Sequence, residues 1–211
     1  MQVPILSAVL LLLSCGQHPD SVKSYTEREI IVNGPAGKLS GVLVQPAGER
    51  VKEHPAVLYL HGSGDHSREA ALHMARWLAD IGLAGLAFDK RGCGDSEGNW
   101  QTASLRDLAR DSEQMLSFLR EQPGIDPSRV GVFAPSQGAW VACSMAEMGS
   151  QIDFVIAFSG GGVTPREAEQ FAHEKMLESS TLNQAEKKSA LRIVDDYFKC
   201  LSEEIPTEVF L

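Results

Sequence analysis

Short apolar segments alternate with segments of helical periodicity along most of this chain. The intervening segments place apolar residues three and four positions apart, which predicts amphipathic helices at 68–82, 105–119 and 138–149. Such an alternation predicts an α/β protein, with a mostly parallel sheet that carries helices on both faces. The apolar segments are nearly continuous in hydrophobic residues, as strands buried on both faces are: AVLYLHG (56–62), AGLAFDKRG (84–92), RVGVFAPS (129–136) and DFVIAFSGG (153–161).

Two further regions flank this alternation. EIIVNG (29–34) and KLSGVLVQP (38–46) predict a pair of strands joined by a turn. After Gly162 the pattern changes, because Thr164-Pro165-Arg166-Glu167 has the form of a helix capping box and a second helix is predicted at about 184–202. No further strand is predicted in this region. Five apolar residues of the second helix are predicted to be buried: Leu191, Val194, Tyr197, Phe198 and Leu201.

Length and charge limit the possible partners. The 211 residues, of which 43% are hydrophobic, predict one folded domain with a core of its own. The net charge is −9 and the Lys and Arg residues form no cluster, so nucleic acid is not predicted as a partner.

The first fifteen residues have the character of a targeting segment. VPILSAVLLLL (3–13) is too short to span a bilayer comfortably and has the length of a signal-peptide apolar region. It leads into Leu-Leu-Ser-Cys at 12–15, which resembles a bacterial lipobox. We therefore expect 1–15 to be a signal peptide with a lipobox, and Cys15 to be acylated and to anchor the protein to a membrane of the bacterial cell envelope, outside the cytoplasm. A plain signal peptide or a buried first strand is the alternative.

The other cysteines predict no special site. Cys93, Cys143 and Cys200 are odd in number and lack the spacing of metal ligands, so neither a disulfide framework nor a metal site is predicted. Cys143 falls on the apolar side of a predicted helix, which favours a place in the core.

Two serines compete for the role of a nucleophile. GDSEG around Ser96 matches the hydrolase pattern Gly-x-Ser-x-Gly, whereas APSQG around Ser136 has Ala134 in place of the first glycine. A nucleophile elbow needs a strand directly before the serine and a helix directly after it. Ser136 has both, and Ser96 lies in a glycine-rich loop with neither. We therefore predict Ser136 as the nucleophile, with a simple helix N-cap as the alternative.

A second motif that indicates a hydrolase site is HGSGDH (61–66), which directly follows a predicted buried strand. Small residues at such a strand end allow backbone N–H groups to turn toward a developing oxyanion. We assign the two oxyanion-hole donors to the backbones of Ser63 and Gln137, with Gly64 as the substitute for Ser63. His61 is interpreted as a structural residue that orients the loop.

The motifs HGSG, DKRGCGDSEG and APSQG, in this order and at these spacings, resemble those of the α/β-hydrolase superfamily. Within it the chain most resembles bacterial secreted or lipoprotein hydrolases of the serine-aminopeptidase and prolyl-oligopeptidase-like group, over about residues 27–165. The resemblance implies a hydrolase core at 27–162 and a partial helical cap at 163–211. Asp89 and Arg91, in the loop after the fourth strand, are interpreted as a pair that shapes this loop.

The resemblance also implies an acid and a histidine after the nucleophile. His173 is the only histidine after Ser136, and with Glu169 and Glu174 it is predicted on an ordinary solvated helix face. The two closing strands that carry the acid and the histidine are not found. We therefore expect the sequence to be truncated at its C-terminal end, as a gene fragment, a frameshifted product or a shortened paralogue.

These features predict a serine hydrolase without a cofactor or metal. It would act on a carboxylic ester, a thioester or a small peptide through an acyl-Ser136 intermediate. A non-catalytic envelope lipoprotein that uses a degenerate hydrolase scaffold for binding is the alternative. The hypothesis of a nucleotide-binding protein has less support, because GCGDSEG (92–98) lacks the lysine of a phosphate-binding loop.

Overall fold

The computed structural model describes residues 25–48 and 53–201; Cys15 and the predicted lipobox lie outside these residues. The described part contains six strands and five helices, at positions close to those that the sequence predicts. In chain order they are β1 (Tyr25–Gly34), β2 (Gly37–Pro46), β3 (His54–Tyr59), α1 (Glu69–Asp80), β4 (Ala84–Phe88), α2 (Leu105–Arg120), β5 (Ile125–Pro135), α3 (Gln137–Glu147), β6 (Val155–Phe158), α4 (Pro165–Glu178) and α5 (Gln184–Leu201).

All six strands form one sheet in the order β1-β2-β4-β3-β5-β6. β4, β3, β5 and β6 are parallel to one another, and β2 joins them antiparallel through β4. The predicted, mostly parallel sheet is thus confirmed. Parallel strands end at the same edge, so the segments that follow β3, β4, β5 and β6 all meet there.

Helices cover both faces of this sheet, as predicted. α1 packs on the face to which Val42, Val44 and Ala87 point, whereas α2 and α3 pack on the opposite face. Gly85 on β4 allows the close approach of α1, because a Cβ at this position would lie 2.6 Å from the Ala75 Cα. The larger of the two apolar clusters joins α2 and α3 to the four central strands.

The helices after β6 differ from the prediction. The capping box is present, since the Thr164 hydroxyl accepts from the Glu167 N–H at 3.2 Å and the Glu167 carboxylate accepts from the Thr164 N–H at 2.8 Å. The predicted burial of the apolar residues of α5 is wrong, because neither α4 nor α5 has a buried residue and Leu201 is 62% exposed. The apolar stripe of α5 borders an open cleft.

Two smaller predictions also need correction. β6 was expected to be buried, yet its four residues are exposed because it is the last strand of the described sheet. Cys143 is exposed as well, so it is not a core residue. Within the described residues, no helix is both long enough and apolar enough to cross a bilayer.

Candidate active site

Ser136 occupies a sharp turn between β5 and α3. Its backbone has φ 49° and ψ −121°, in the region of positive φ that residues other than glycine rarely adopt. Its N–H donates to the Phe158 carbonyl at 2.8 Å, which ties the turn to the end of β6. In the described structure the hydroxyl makes no capping hydrogen bond to α3, and the residue is exposed. A strained residue between a strand and a helix is the geometry that a nucleophile elbow requires.

Small residues surround this turn because the backbone is crowded. A Cβ at Gly138 would lie 3.1 Å from the Leu60 Cβ, and Ala134 is completely buried. A Cβ at Gly160 would lie 2.2 Å from the Ser136 carbonyl oxygen, so this position also requires glycine. Gly160 was missed by the sequence analysis, although the triplet Gly-Gly-Gly at 160–162 was a visible signal.

The loop after β3 lies beside the elbow. A Cβ at Gly62 would be 3.8 Å from the Ser136 Cβ. Ser63, Ser136 and Gln137 line the same cleft, which has a volume of about 1210 Å³ and lies at the carboxyl ends of the strands. Gln137 is the first residue of α3, so its N–H has no partner within the helix. The first oxyanion donor was assigned to the backbone of Ser63, with Gly64 as the substitute, and it is Ser63 that lines the cleft.

Lys90 connects these two segments and was not singled out from the sequence. Its side chain is buried, and its ammonium group donates to the carbonyls of Gly62 at 2.9 Å and Gly64 at 3.1 Å. A third hydrogen bond, of 3.0 Å, reaches the side-chain oxygen of Gln137. Burial lowers the pKa of Lys90, and the nearby groups of Cys93 and Asp65 oppose this effect. The only signal in the sequence was the lysine within DKRG.

His61, just after β3, forms a hydrogen bond to the last residue of β4. Its Nε2 lies 2.5 Å from the Phe88 carbonyl oxygen, so Nε2 carries the proton, and within the described residues its buried Nδ1 has no hydrogen-bond partner. Burial lowers the pKa of His61 to about 4. The residue is therefore neutral at pH 7 and has the contacts of a structural residue.

The depressed pKa of His61 predicts an acid-sensitive fold. Between about pH 6.5 and 4 the unfolded chain binds a proton on His61 that the folded protein does not, so stability should fall as the pH falls through this window. The full loss in the free energy of unfolding is on the order of 3 kcal/mol. His61→Gln, whose amide can still donate to Phe88, should flatten the dependence. Urea unfolding from pH 7 to pH 4.5 measures it, with exposed His73→Gln as the control. An unchanged pH dependence in His61→Gln would contradict this assignment.

Ser96 is a structural residue of the loop after β4. Its side chain is 7% exposed; its hydroxyl accepts from the Ser40 N–H at 2.9 Å and donates to the Asp89 carbonyl at 2.8 Å. Both hydrogen-bonding functions of the hydroxyl are thus used within the fold. This arrangement explains why the literal match GDSEG does not mark the cleft.

Asp89 and Arg91 do not form the predicted pair. The Asp89 carboxylate accepts from the backbone N–H groups of Arg68 at 2.6 Å and Asp95 at 3.0 Å, and so joins the loop after β4 to the start of α1. Arg91 turns the other way, onto α2, where its guanidinium binds both oxygens of Asp111 at 2.5 and 2.8 Å. The predicted pairing is wrong because an arginine side chain is long enough to reach a carboxylate on another element, here Asp111 on α2.

Two histidines lie at or near the cleft. His173 and Glu169 lie on a solvated face of α4, as predicted, with side chains 38% and 56% exposed, and this face borders the cleft. The His173 Nδ1 lies 2.8 Å from the Glu169 carbonyl oxygen. His66 belongs to the loop after β3, with its Nε2 2.8 Å from the Ser63 carbonyl oxygen. Across the described residues, no group of three His, Cys, Asp or Glu side chains is placed to hold a metal ion.

Comparisons with known proteins concern the family and the fold of the chain. The sequence model of the family described as "Serine aminopeptidase, S33" matches residues 52–195, more than half of the chain. A multifunctional-autoprocessing repeats-in-toxin protein of Vibrio vulnificus is 31% identical over 136 residues, 62% of this chain and 3% of that protein. A lysophosphatidylserine lipase of Rattus norvegicus is 31% identical over 93 residues, 44% of this chain and 22% of the lipase.

A solved structure gives the same result for the fold. The structure of a hypothetical protein of Pseudomonas aeruginosa matches with a TM-score of 0.61 at 19% identity, covering 90% of this chain and 57% of that one. At this identity the likeness concerns the fold alone. The chain spans a minor part of the two sequence relatives and somewhat more than half of the structural one.

Proposed function

Because the chain belongs to the serine aminopeptidase family of α/β hydrolases, we propose that it is a serine hydrolase that acts through an acyl-Ser136 intermediate. The observation that carries this proposal is the backbone of Ser136, which has a positive φ at the start of α3 and exposes the serine in the cleft. A strained residue at the carboxyl edge of a sheet is typical of a catalytic nucleophile.

The proposed reaction has two steps. The Ser136 Oγ attacks the carbonyl carbon, its proton passes to a base, and the carbonyl oxygen becomes an oxyanion that accepts hydrogen bonds from the N–H groups of Ser63 and Gln137. The positive end of the α3 dipole adds to this stabilisation. Collapse of the intermediate breaks the bond to the leaving group, which takes the proton from the base and departs as an alcohol, thiol or amine. Water then hydrolyses the acyl enzyme, which releases the acid and regenerates the Ser136 hydroxyl. Apart from the buried His61, the described histidines at or near the site are His66 and His173.

The walls of the cleft favour an apolar acyl group. The side facing the core and the side formed by α5 both carry large apolar residues, and burying their surface against an acyl chain would stabilise the complex by about 25 cal/mol per Å². The lipase of Rattus norvegicus is named for a lipid ester, which is consistent with this substrate class. The large apolar residues that line the cleft are Leu105, Trp140, Ile193, Val194, Tyr197, Phe198 and Leu201.

Two further assignments remain part of the proposal. We propose that α4 and α5 belong to a cap over the cleft, because their apolar stripe borders it. We also propose that acylation at Cys15 anchors the protein to the cell envelope, where the substrate would be an ester, thioester or small peptide outside the cytoplasm.

Hydrolysis of a graded series of esters tests the function. We expect p-nitrophenyl esters to be cleaved with an initial burst of p-nitrophenol equal to the enzyme concentration, and longer acyl chains to lower KM. Acyl thioesters and aminoacyl p-nitroanilides, measured alongside, distinguish the three substrate classes. A folded protein that gives neither a burst nor turnover with any of them would favour the alternative, a binding protein that retains the hydrolase scaffold.

A further inference from the structure

Lys90 holds together two segments that are distant in sequence. Its ammonium group makes three hydrogen bonds, to the carbonyls of Gly62 and Gly64 in the loop after β3 and to the side chain of Gln137 at the start of α3. An ammonium group has three N–H donors, so these bonds use its full capacity. The indole of Trp100 lies 5.4 Å from the ammonium nitrogen and covers it.

The bond to Gly62 fixes the direction of a proposed oxyanion-hole donor. The carbonyl of Gly62 and the N–H of Ser63 belong to one planar trans peptide unit, in which they point in opposite directions. Since the carbonyl points inward to Lys90 at 2.9 Å, the Ser63 N–H must point away from Lys90. Ser63 also lines the cleft, which is where an oxyanion donor is needed.

The bond to Gln137 fixes the second donor relative to the first. Gln137 contributes its backbone N–H to the proposed oxyanion hole, and its side chain is tied to the same ammonium group that holds the Gly62 carbonyl. One buried cation therefore contacts both the peptide that carries the first donor and the side chain of the residue that carries the second. Its charge also lies on the carbonyl side of the Gly62–Ser63 peptide, where it polarises the Gly62 carbonyl and strengthens the N–H of Ser63 as a donor.

We propose that Lys90 is the positioning residue of the oxyanion hole: it orients the Gly62–Ser63 peptide and couples it to the elbow through Gln137. This role rests on the proposed hydrolase function and deepens it. Lys90 does not touch the substrate. It acts through two backbone groups whose hydrogen bonds strengthen only as the oxyanion forms, so its loss should lower kcat and leave KM almost unchanged.

Lys90→Met tests the proposal, with Lys38→Met, an exposed lysine on β2, as the matched control for loss of charge. We expect Lys90→Met to lower kcat roughly 10- to 100-fold at constant KM, and Lys38→Met to stay within twofold of the wild type. Lys90→Arg, which restores donors at the same place, should recover part of the rate. A Lys90→Met protein with an unchanged kcat, or with a loss that lies in KM, would overturn the proposal.

Hydrogen–deuterium exchange keeps the test independent of catalysis. We expect Lys90→Met to increase deuterium uptake in peptides covering 61–66 and 134–140, and Lys38→Met to leave both unchanged. Gln137→Met removes the hydrogen bond between Lys90 and the half-buried Gln137 side chain. It should raise deuterium uptake in the same two peptides, and it provides the test even if Lys90→Met does not fold. If the wild type shows no hydrolysis, the proposed function fails, and equal uptake in all variants would overturn the role of Lys90 separately.

Discussion

Ser136→Ala is expected to abolish ester hydrolysis while the protein stays folded. Removal of a serine nucleophile costs on the order of 10⁴- to 10⁶-fold in kcat, because only binding and oxyanion stabilisation remain. The hydroxyl caps no helix end in the described structure, so its loss should change the melting temperature by only a few degrees. Steady-state kinetics at saturating ester, with thermal unfolding of the same sample, measures both effects.

Ser96→Ala is the matched control and should behave in the opposite way. Ser96 is buried and its hydroxyl is the acceptor for the Ser40 N–H, so the alanine leaves a buried donor without its partner. We expect a loss of about 1–3 kcal/mol in the free energy of unfolding and nearly wild-type kcat per folded molecule. If Ser96→Ala were the inactive variant and Ser136→Ala the active one, the literal motif would be right and our assignment wrong.

The largest effect on stability is expected from the ion pair that joins the loop after β4 to α2. The Arg91 and Asp111 side chains are only 8% and 3% exposed, and two hydrogen bonds connect them. Burial raises the pKa of Asp111, and the hydrogen bonds from Arg91 oppose this rise. Asp111→Leu leaves a guanidinium that cannot lose its charge in a buried place. We expect urea unfolding to show a loss of about 3–5 kcal/mol.

Two controls separate the buried charge from the lost contact. The double variant Arg91→Met, Asp111→Leu should regain most of the lost stability, because it leaves no unpaired charge in the interior. Glu178→Gln, which breaks an exposed pair with Lys175 on α4, should cost less than about 1 kcal/mol. A loss below about 1 kcal/mol in Asp111→Leu itself would contradict the importance of this pair.

The sequence predicted the fold because each element carries its own periodicity. Alternating apolar strands and amphipathic helices specify a parallel sheet with two covered faces, and the position of Ser136 between β5 and α3 follows from the order of elements alone. The choice between the two serines also needed only local context, since Ser96 had neither a strand before it nor a helix after it.

Contacts between distant elements were harder to predict. An apolar stripe shows that a helix has an apolar face but not what covers it, and so the predicted burial of Tyr197 and Leu201 failed. Charged side chains are long enough to select among several partners, which explains the error at Asp89 and Arg91. The role of Lys90 depends on three acceptors from two separate segments, and no spacing in one sequence encodes such a convergence.

Covalent labelling by a fluorophosphonate, followed by mass spectrometry of the proteolytic peptides, tests the central claim most directly. Such a probe phosphonylates an activated serine whether or not the substrate is known. We predict a single adduct on Ser136, lost in Ser136→Ala and retained in Ser96→Ala. An adduct on Ser96, or a folded wild-type protein that remains unlabelled, would contradict the assignment of Ser136 as the nucleophile.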